Sequence, residues 1–277
     1  MYYSESGQKI ARSRPCSAEQ LAALAASLPL PAPFPLPLRV VRAVLAALWG
    51  TTMLVILVPF GILTLPLDRK QKMHDFFSAR GAGSVLAIAG VRVHARGLEH
   101  LTHEGRYVVV ANHQSIIDTL ILLHVLQRRS PVRFMAKRSV FRVPILGWGM
   151  RSFGHMPVDR NSIWSSLAGL RLATATGRRW STVFFPEGTR SRDGNMLPFK
   201  QAAFKIAGRL GLPVLPVAIR GSAHALPPGK LVPNAPATVM VEVFPPIPSG
   251  ADGQDAEEVA KEARRRIEGA LSEPSGA

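Results

Sequence analysis

The sequence predicts an α/β domain with a mixed, largely parallel central sheet flanked by helices and preceded by an N-terminal membrane-associated helix pair. After residue 90, short apolar runs alternate with helical segments, which is the pattern of βαβ units. Runs such as Tyr107–Ala111 and Thr182–Phe185 are continuously apolar, as expected for strands that are covered on both faces. Upstream, residues 43–67 carry no charged side chain, and about 20 apolar residues suffice to cross a bilayer core.

Composition and charge favour a lipid surface as partner. Apolar residues make up 47% of the chain and charged residues 19%, below the roughly 25% that is usual in soluble domains. The balance of 34 basic against 18 acidic residues gives a net charge of +16, which attracts nucleic acid, anionic lipid or phosphorylated substrates. The basic residues are dispersed instead of forming a stripe with aromatic residues. A phospholipid membrane is therefore favoured and nucleic acid is not expected.

The chain divides into four segments. Residues 1–37 read as a Pro-rich tail, because alternate prolines from 29 to 37 remove backbone donors. Residues 38–89 form the membrane-associated helical segment, residues 90–250 the α/β domain, and residues 251–277 a C-terminal helix and tail. The single cysteine, Cys16, excludes an internal disulfide framework and a cysteine-based zinc site, and it suits a reducing compartment.

The membrane segment leaves three arrangements open. Pro59 and Gly61 predict a kink or a break within the apolar stretch, and residues 68–89 have amphipathic helical spacing. Basic residues flank both ends of the stretch, so the positive-inside rule gives no orientation. A helix pair in one leaflet, a single spanning helix and a buried core helix all remain possible arrangements.

Six strands and four helices are predicted after residue 90. The strands are Val91–Ala95, Tyr107–Ala111, Val132–Met135, Thr182–Phe185, Val214–Ile219 and Thr238–Val243. The helices are Thr119–Arg129, Ser162–Arg178, Ala202–Leu210 and Ala256–Leu271.

His113 and Asp118 follow the second strand, at the end of a strand where open α/β sheets gather their sites. On a regular helix two residues with this spacing point about 140° apart. If His113 lies in the turn and Asp118 in the first helical turn, the carboxylate reaches the imidazole and leaves the other nitrogen free as a base. The alternative is a structural histidine with Asp118 as a helix cap. No further histidine stands nearby to complete a metal site.

The segment from Glu187 to Arg192 follows the fourth strand and places a glycine and hydroxyls beside two arginines. Arginine presents a planar fork of donors that matches phosphate oxygens, so a phosphate site is predicted here, with a solvated turn as the alternative. Lys137 and Arg160 are further anion-binding candidates. The apolar stretch from Pro144 to Met150 could line an acyl groove, although the sequence favours core.

The sequence has no G-x-S-x-G elbow, P-loop or dinucleotide fingerprint. A base with an orienting carboxylate, a phosphate clamp and a membrane anchor remain. This combination indicates transfer to a hydroxyl of a phosphorylated lipid.

Four blocks of sequence resemble the 1-acylglycerol-3-phosphate acyltransferase (lysophosphatidic acid acyltransferase) family over about residues 91–247. The blocks are Asn112-His113-Gln114-Ser115 with Asp118 (the H-x4-D motif), then Lys137 with Pro144, Gly147, Gly154, Asp159 and Arg160, then Phe185 through Arg192, and Val214 through Ile219. One position departs from the family, since Ala202 stands where a glycine is usual after Phe199-Lys200.

The resemblance implies that residues 90–250 are an acyltransferase catalytic domain. His113 then deprotonates the free sn-2 hydroxyl of lysophosphatidic acid, Asp118 orients His113, and the hydroxyl attacks acyl-CoA or acyl-carrier protein. No metal or cofactor beyond this co-substrate is implied. The expected substrate-binding residues are Lys137, Arg160, Glu187, Gly188, Thr189 and Arg190. Because acyl thioesters are cytosolic, the domain is expected at the inner membrane, facing the cytoplasm.

Two rival functions remain. The first keeps the chemistry and changes the acceptor to glycerol-3-phosphate, a lyso-ornithine lipid or another lysophospholipid. The second is a non-catalytic membrane-binding protein of the same fold, which the presence of both His113 and Asp118 argues against.

Overall fold

The computed structural model of the protein describes residues 33–64, 66–68, 71–102, 105–158, 180–191, 195–250 and 255–272. The described residues from 33 to 271 form one compact unit. The predicted helix at 162–178 and the residues Cys16 and Arg160 lie outside the described residues.

Two antiparallel helices precede the sheet. Helix α1 spans Leu36–Thr64 and α2 spans Lys72–Ala89. Contrary to the predicted break, α1 continues through Pro59 to Thr64, whose hydroxyl donates to the Phe60 carbonyl over 2.9 Å. The Asp68 carboxylate stabilises the start of α2, because it accepts the backbone N–H groups of residues 72 and 73. Most of α1 is exposed.

Seven strands of the described residues form one sheet in the order β1-β7-β6-β2-β5-β3-β4. They are β1 Val91–Arg96, β2 Val108–Ala111, β3 Val132–Lys137, β4 Met156–Val158, β5 Ser181–Phe184, β6 Val214–Arg220 and β7 Ala237–Val243. Every pair is parallel except β6 with β7. The prediction of a mixed, largely parallel sheet flanked by helices and preceded by a helix pair is confirmed; β4 was not predicted.

Helices cover both faces of the sheet. The remaining helices are α3 Asp118–Leu126, α4 Leu146–Ser152, α5 Ala202–Leu210, the short α6 Ser222–Ala225 and α7 Ala256–Ser272. Val109 and Ala111 of β2 belong to the core that contains α3, whereas Val108 and Val110 belong to the core that contains α5 and α7. Because side chains alternate along a strand, this division explains why the strand is apolar throughout.

A buried polar cluster joins α2 to β3. Arg133 is 1% exposed, and its guanidinium lies 2.9 Å from a carboxylate oxygen of Asp75. The same guanidinium donates to the Gln71 side chain over 2.8 Å, and Gln127 donates to Asp75 over 2.5 Å. These contacts bind the start of α2 to the sheet. The sequence placed Arg133 in a strand but did not predict its partners.

Candidate active site

The two polar strand ends singled out in the sequence meet at one edge of the sheet. Strands β2 and β5 are parallel neighbours, so the segments that follow them leave the sheet side by side. We call the edge formed by the carboxyl ends of β2, β3, β5 and β6 the catalytic edge.

His113 and Asp118 are in hydrogen-bond contact at this edge. His113 lies in the turn after β2 and Asp118 is the first residue of α3. The Asp118 Oδ2 atom lies 2.9 Å from His113 Nδ1 and accepts the backbone N–H groups of Gln114 and Ser115, each over 2.8 Å. Asp118 is fully buried and His113 only partly. An acceptor at Nδ1 selects the tautomer that keeps Nε2 free to take a proton.

Three further contacts fix His113. Its ring stacks on Phe185 with 4.0 Å between ring centroids. Its backbone N–H donates to Glu187 Oε1 over 2.7 Å, and its carbonyl accepts the Ser191 N–H over 3.0 Å. The segment after β5 therefore holds the turn that carries His113.

Glu187 is 3% exposed, and backbone donors use both of its carboxylate oxygens. Oε1 bonds the His113 N–H, and Oε2 accepts the Leu197 N–H over 2.8 Å. Burial raises the pKa of Glu187 above its usual value, and the two backbone hydrogen bonds oppose this rise. Glu187 therefore links the turn that carries His113 to the segment at Leu197. Its contact with the acceptor stays a prediction.

Gly188 lies in a turn after β5, and its φ of +72° favours glycine. Lys200 lies across this turn, so that a Cβ on Gly188 would be 2.9 Å from Lys200 Nζ. Thr189 and Arg190 are exposed, and Arg190 precedes the Ser191 that bonds His113. Lys137 is exposed at the end of β3, next to β5. Lys200 was not among the predicted site residues.

Two residues beside His113 join β2 to distant segments, and sequence reasoning did not find these roles. The Asn112 side chain donates to the Ile219 carbonyl over 2.8 Å and accepts the Ile219 N–H over 2.7 Å. The Ser115 hydroxyl donates to the Leu226 carbonyl over 2.7 Å. A polar residue directly after a buried strand was the available signal, but its partners lie more than 100 residues away.

An apolar cavity of about 290 Å³ lies between α1, α2, α3 and α4. Leu146, Gly149 and Met150 are on its wall, so the interpretation of residues 144–150 as core is only partly right. A row of rings connects the cavity with the catalytic edge: Phe185, stacked on His113, is 6.4 Å from Phe134, which is 5.9 Å from His155 on the cavity wall.

The two histidines of the cavity wall are neutral. Burial and the nearby Arg133 charge lower the pKa of His155 to about 3, and burial, Arg133 and His155 lower that of His74 to about 2. The Phe134 N–H donates to His155 Nδ1 over 2.9 Å, and His74 stacks on Phe153 at 3.6 Å. The cavity wall thus carries no histidine charge at neutral pH. Across the described part of the chain, no three His, Cys, Asp or Glu side chains cluster as metal ligands.

Comparison with known proteins identifies the family. Residues 92–220 match the family described as Acyltransferase. A 1-acyl-sn-glycerol-3-phosphate acyltransferase of Chlamydomonas reinhardtii is 33% identical over 83% of this chain and 70% of its own length. The Salmonella typhimurium enzyme of the same name is 27% identical over 77% of this chain and 86% of its own length.

The chain spans less than two thirds of two other relatives. The chain spans 58% of the chloroplastic 1-acyl-sn-glycerol-3-phosphate acyltransferase BAT2 of Brassica napus and 62% of LPAT1 of Arabidopsis thaliana. The crystal structure of the 1-acyl-sn-glycerophosphate (LPA) acyltransferase PlsC from Thermotoga maritima shares the fold, with a TM-score of 0.66 and 23% identity over 84% of this chain and 98% of that one. The 33% identity to the Chlamydomonas reinhardtii enzyme, over 70% of that enzyme's length, shows that the chain belongs to the 1-acyl-sn-glycerol-3-phosphate acyltransferase family.

Proposed function

We propose that the protein transfers a fatty acyl group from acyl-CoA or acyl-carrier protein to the sn-2 hydroxyl of lysophosphatidic acid, giving phosphatidic acid. The observation that carries this proposal is the buried Asp118 bonded to His113 at the catalytic edge. His113 Nε2 takes the hydroxyl proton as the oxygen attacks the thioester carbonyl, and Asp118 stabilises the imidazolium. The C–S bond then breaks, and the thiolate takes the proton from the His113 imidazolium and leaves as the free thiol. Because the hydroxyl attacks the thioester directly, no acyl-enzyme forms.

A panel of acceptors tests the proposal. The purified enzyme is assayed with lysophosphatidic acid, glycerol-3-phosphate, lyso-ornithine lipid and other lysophospholipids, each with acyl-CoA and with acyl-carrier protein. We expect the highest kcat/KM with lysophosphatidic acid. A higher value for another acceptor would favour the first rival function, and absence of transfer with every pair would favour the non-catalytic one.

The cations beside the Gly188 turn are proposed to bind the acceptor phosphate. Arg190 and Lys200 flank this turn, Lys137 extends from the neighbouring strand, and Arg160 belongs to the same proposed set by its sequence block. Within the described residues, no carboxylate forms an ion pair with Arg190, Lys200 or Lys137. Gly188 and Thr189 supply the turn itself. Glu187, by contrast, is proposed to position His113 through the backbone instead of contacting the acceptor.

Arg190→Ala is expected to raise the acceptor KM by about 10- to 100-fold, because a hydrogen bond to a charged group contributes about 1.5–3 kcal/mol. The donor KM should change little. Steady-state kinetics with each substrate varied in turn check this, with Arg129→Ala as control, since Arg129 is exposed beyond the far end of α3. An unchanged acceptor KM in Arg190→Ala would remove Arg190 from the site.

In the same assay Glu187→Gln should lower kcat with little change in acceptor KM.

Helices α1 and α2 are proposed to bind one leaflet of the cytoplasmic membrane, with the catalytic domain facing the cytoplasm. Among the described helices, α1 is the one long and apolar enough to cross a bilayer. However, Arg39 at its start donates to the Pro233 carbonyl over 2.9 Å, and Val58 packs on Gly149 of α4. These two contacts are about 29 Å apart along a helix. A helix that lies along the domain over this length favours insertion into one leaflet over spanning.

The cavity is proposed to hold the acyl chain. Its lining is mainly apolar, its volume is close to the lower limit of about 300 Å³ for ligand pockets, and α3, which carries Asp118, forms part of its wall through Leu120 and Leu123. The row of rings from His113 to His155 gives the direction in which the chain would leave the thioester.

Gly81→Phe is expected to shift the enzyme toward shorter acyl chains. Gly81 lines the cavity, and a Cβ there would meet no atom within 4 Å, so the ring can fill space without displacing the helix. Each buried methylene contributes about 0.8 kcal/mol; loss of room for two should lower kcat/KM for the longest donors by about tenfold. Competition assays with donors of graded length check this.

Gly81→Ala is the matched control, since it adds one methyl group and should stabilise α2 by about 1 kcal/mol without changing the preference. An unchanged preference in a folded Gly81→Phe protein would place the acyl chain elsewhere.

A further inference from the structure

Four large apolar side chains outside the helix pair and its turn are exposed in the described structure. They are Ile116, Val143, Trp148 and Leu231, which are between 48% and 89% exposed. The other large apolar side chains with high exposure belong to α1, α2 or the turn between them. We call the four residues the apolar rim. Exposed apolar side chains that share one surface mark a contact with a protein or a membrane, whereas single scattered ones do not.

The apolar rim follows the catalytic edge. Ile116 lies between the catalytic residues His113 and Asp118, in the turn after β2. Val143 and Trp148 lie in the segment that leaves the carboxyl end of β3. Leu231 lies in the loop between β6 and β7, which are antiparallel, so this loop is at the carboxyl end of β6. The rim therefore comes from the segments that follow three strands ending at the same edge.

Two of the segments that carry the apolar rim contact α1. The loop that carries Leu231 bonds Arg39 of α1 through the Pro233 carbonyl and the Asn234 side chain. Helix α4, which carries Trp148, contacts α1 so closely that a Cβ on Gly149 would lie 2.6 Å from Val58. The segments that carry Leu231 and Trp148 therefore contact α1 at two places along its length.

The charge of this edge matches an anionic surface. Six exposed basic side chains lie at the end of β3 or in the segments that follow β3, β5 and β6, namely Lys137, Arg138, Arg142, Arg151, Arg190 and Lys230. Asp118 and Glu187, the site carboxylates at this edge, are both buried. Basic residues near a membrane surface contribute about 1 kcal/mol each with anionic lipid, and tryptophan favours the headgroup region.

From these observations we propose that the apolar rim inserts into an anionic phospholipid bilayer, as a second membrane contact that holds His113 at the lipid surface. This inference rests on the proposed membrane association of α1 and α2. The rim would let a lysolipid reach His113 without leaving the bilayer, because Ile116 enters the lipid within three residues of the base. The partner is thus lipid with negative headgroups, and the contact belongs to the folded domain.

Site-specific fluorescence on the full chain tests the proposal. Cys16 is the single cysteine, so a Cys16→Ser background accepts one new cysteine at a time for an environment-sensitive label. Trp148→Cys and Leu231→Cys report the rim, Leu48→Cys reports α1, and Glu258→Cys, on the exposed side of α7, is the control. The proteins are bound to phosphatidylglycerol–phosphatidylethanolamine vesicles that contain lipids with a quencher at a known acyl depth.

We expect the labels at 148, 231 and 48 to lose about half of their fluorescence or more, as for side chains buried about 5–10 Å into the acyl boundary. The label at 258 should be unaffected. Quenching at 48 without quenching at 148 and 231 would overturn the second contact and leave the proposed anchor intact. Absence of quenching at all three positions would overturn membrane association itself, and with it the second contact.

A kinetic test uses the combined variant Val143→Ser, Trp148→Ser and Leu231→Ser. With lysophosphatidic acid in vesicles, the apparent acceptor KM should rise about tenfold, because apolar area is lost from the bilayer contact. With a short-chain acceptor that is dissolved in water, KM and kcat should stay close to those of the parent protein. An equal loss with both acceptors would show that the residues serve the fold or the site instead, and would overturn the proposal.

Discussion

His113→Ala is expected to abolish measurable acyl transfer, with a fall in kcat of about 10²- to 10⁴-fold or more. The imidazole is the group that Asp118 orients, with Nδ1 bonded to the carboxylate and Nε2 left to take the hydroxyl proton. Alanine removes the base but leaves the backbone N–H that Glu187 accepts and the carbonyl that receives the Ser191 N–H. The variant should therefore keep the backbone structure of the site while it loses the general base.

The measurement is turnover with vesicle-bound lysophosphatidic acid, together with thermal unfolding and vesicle co-sedimentation. Unfolding and lipid binding should match the parent protein. His94→Ala is the control, because His94 is an exposed histidine of β1 and its loss should leave turnover unchanged. Near-normal turnover in a folded, membrane-bound His113→Ala protein would refute the assignment of His113 as the base.

The sheet could be predicted from the sequence because its strands carry their signal locally. Tyr107–Ala111 and Thr182–Phe185 are apolar throughout, and strands that are covered on both faces need this pattern. Their ends carry polar side chains, and parallel neighbours bring such ends together. The juxtaposition of His113 with the Glu187 segment follows from these two facts. Only β4, with three residues, is too short to be distinguished from a loop.

The contacts that hold the site could not be predicted, because they join residues that are distant in the sequence. Glu187 lies 74 residues from the His113 N–H that it accepts, and Asn112 lies 107 residues from Ile219. In the sequence, Glu187 appears beside Arg190 in a polar turn, which favours solvent or substrate contact. Its burial is decided by the fold. The apolar cavity has the same origin, since residues of four helices line it and no single helix predicts it.

Arg133 shows the same limit in the core. It stands in the predicted strand Val132–Met135, where a charged residue would be expected at an exposed position. Instead Arg133 pairs with Asp75 of α2 and donates to the Gln71 side chain just before that helix. Gln127, directly after α3, donates to the same Asp75. Burial raises the pKa of the Asp75 carboxyl, whereas the Arg133 charge and hydrogen bond lower it. The pair is stable only while both members are present, because either charge alone would be buried without compensation.

Asp75→Ala is accordingly expected to destabilise the protein by about 3–5 kcal/mol, the effect of removing one partner from a buried ion pair. The double variant Asp75→Leu with Arg133→Met should recover much of this loss, since it removes both charges and restores volume. Chemical denaturation in detergent micelles measures both. A single variant within about 1 kcal/mol of the parent would show that water reaches the pair. Because His74 adjoins Asp75 and lines the cavity, Asp75→Ala should also loosen the cavity wall and weaken chain-length selectivity, which the double variant should restore.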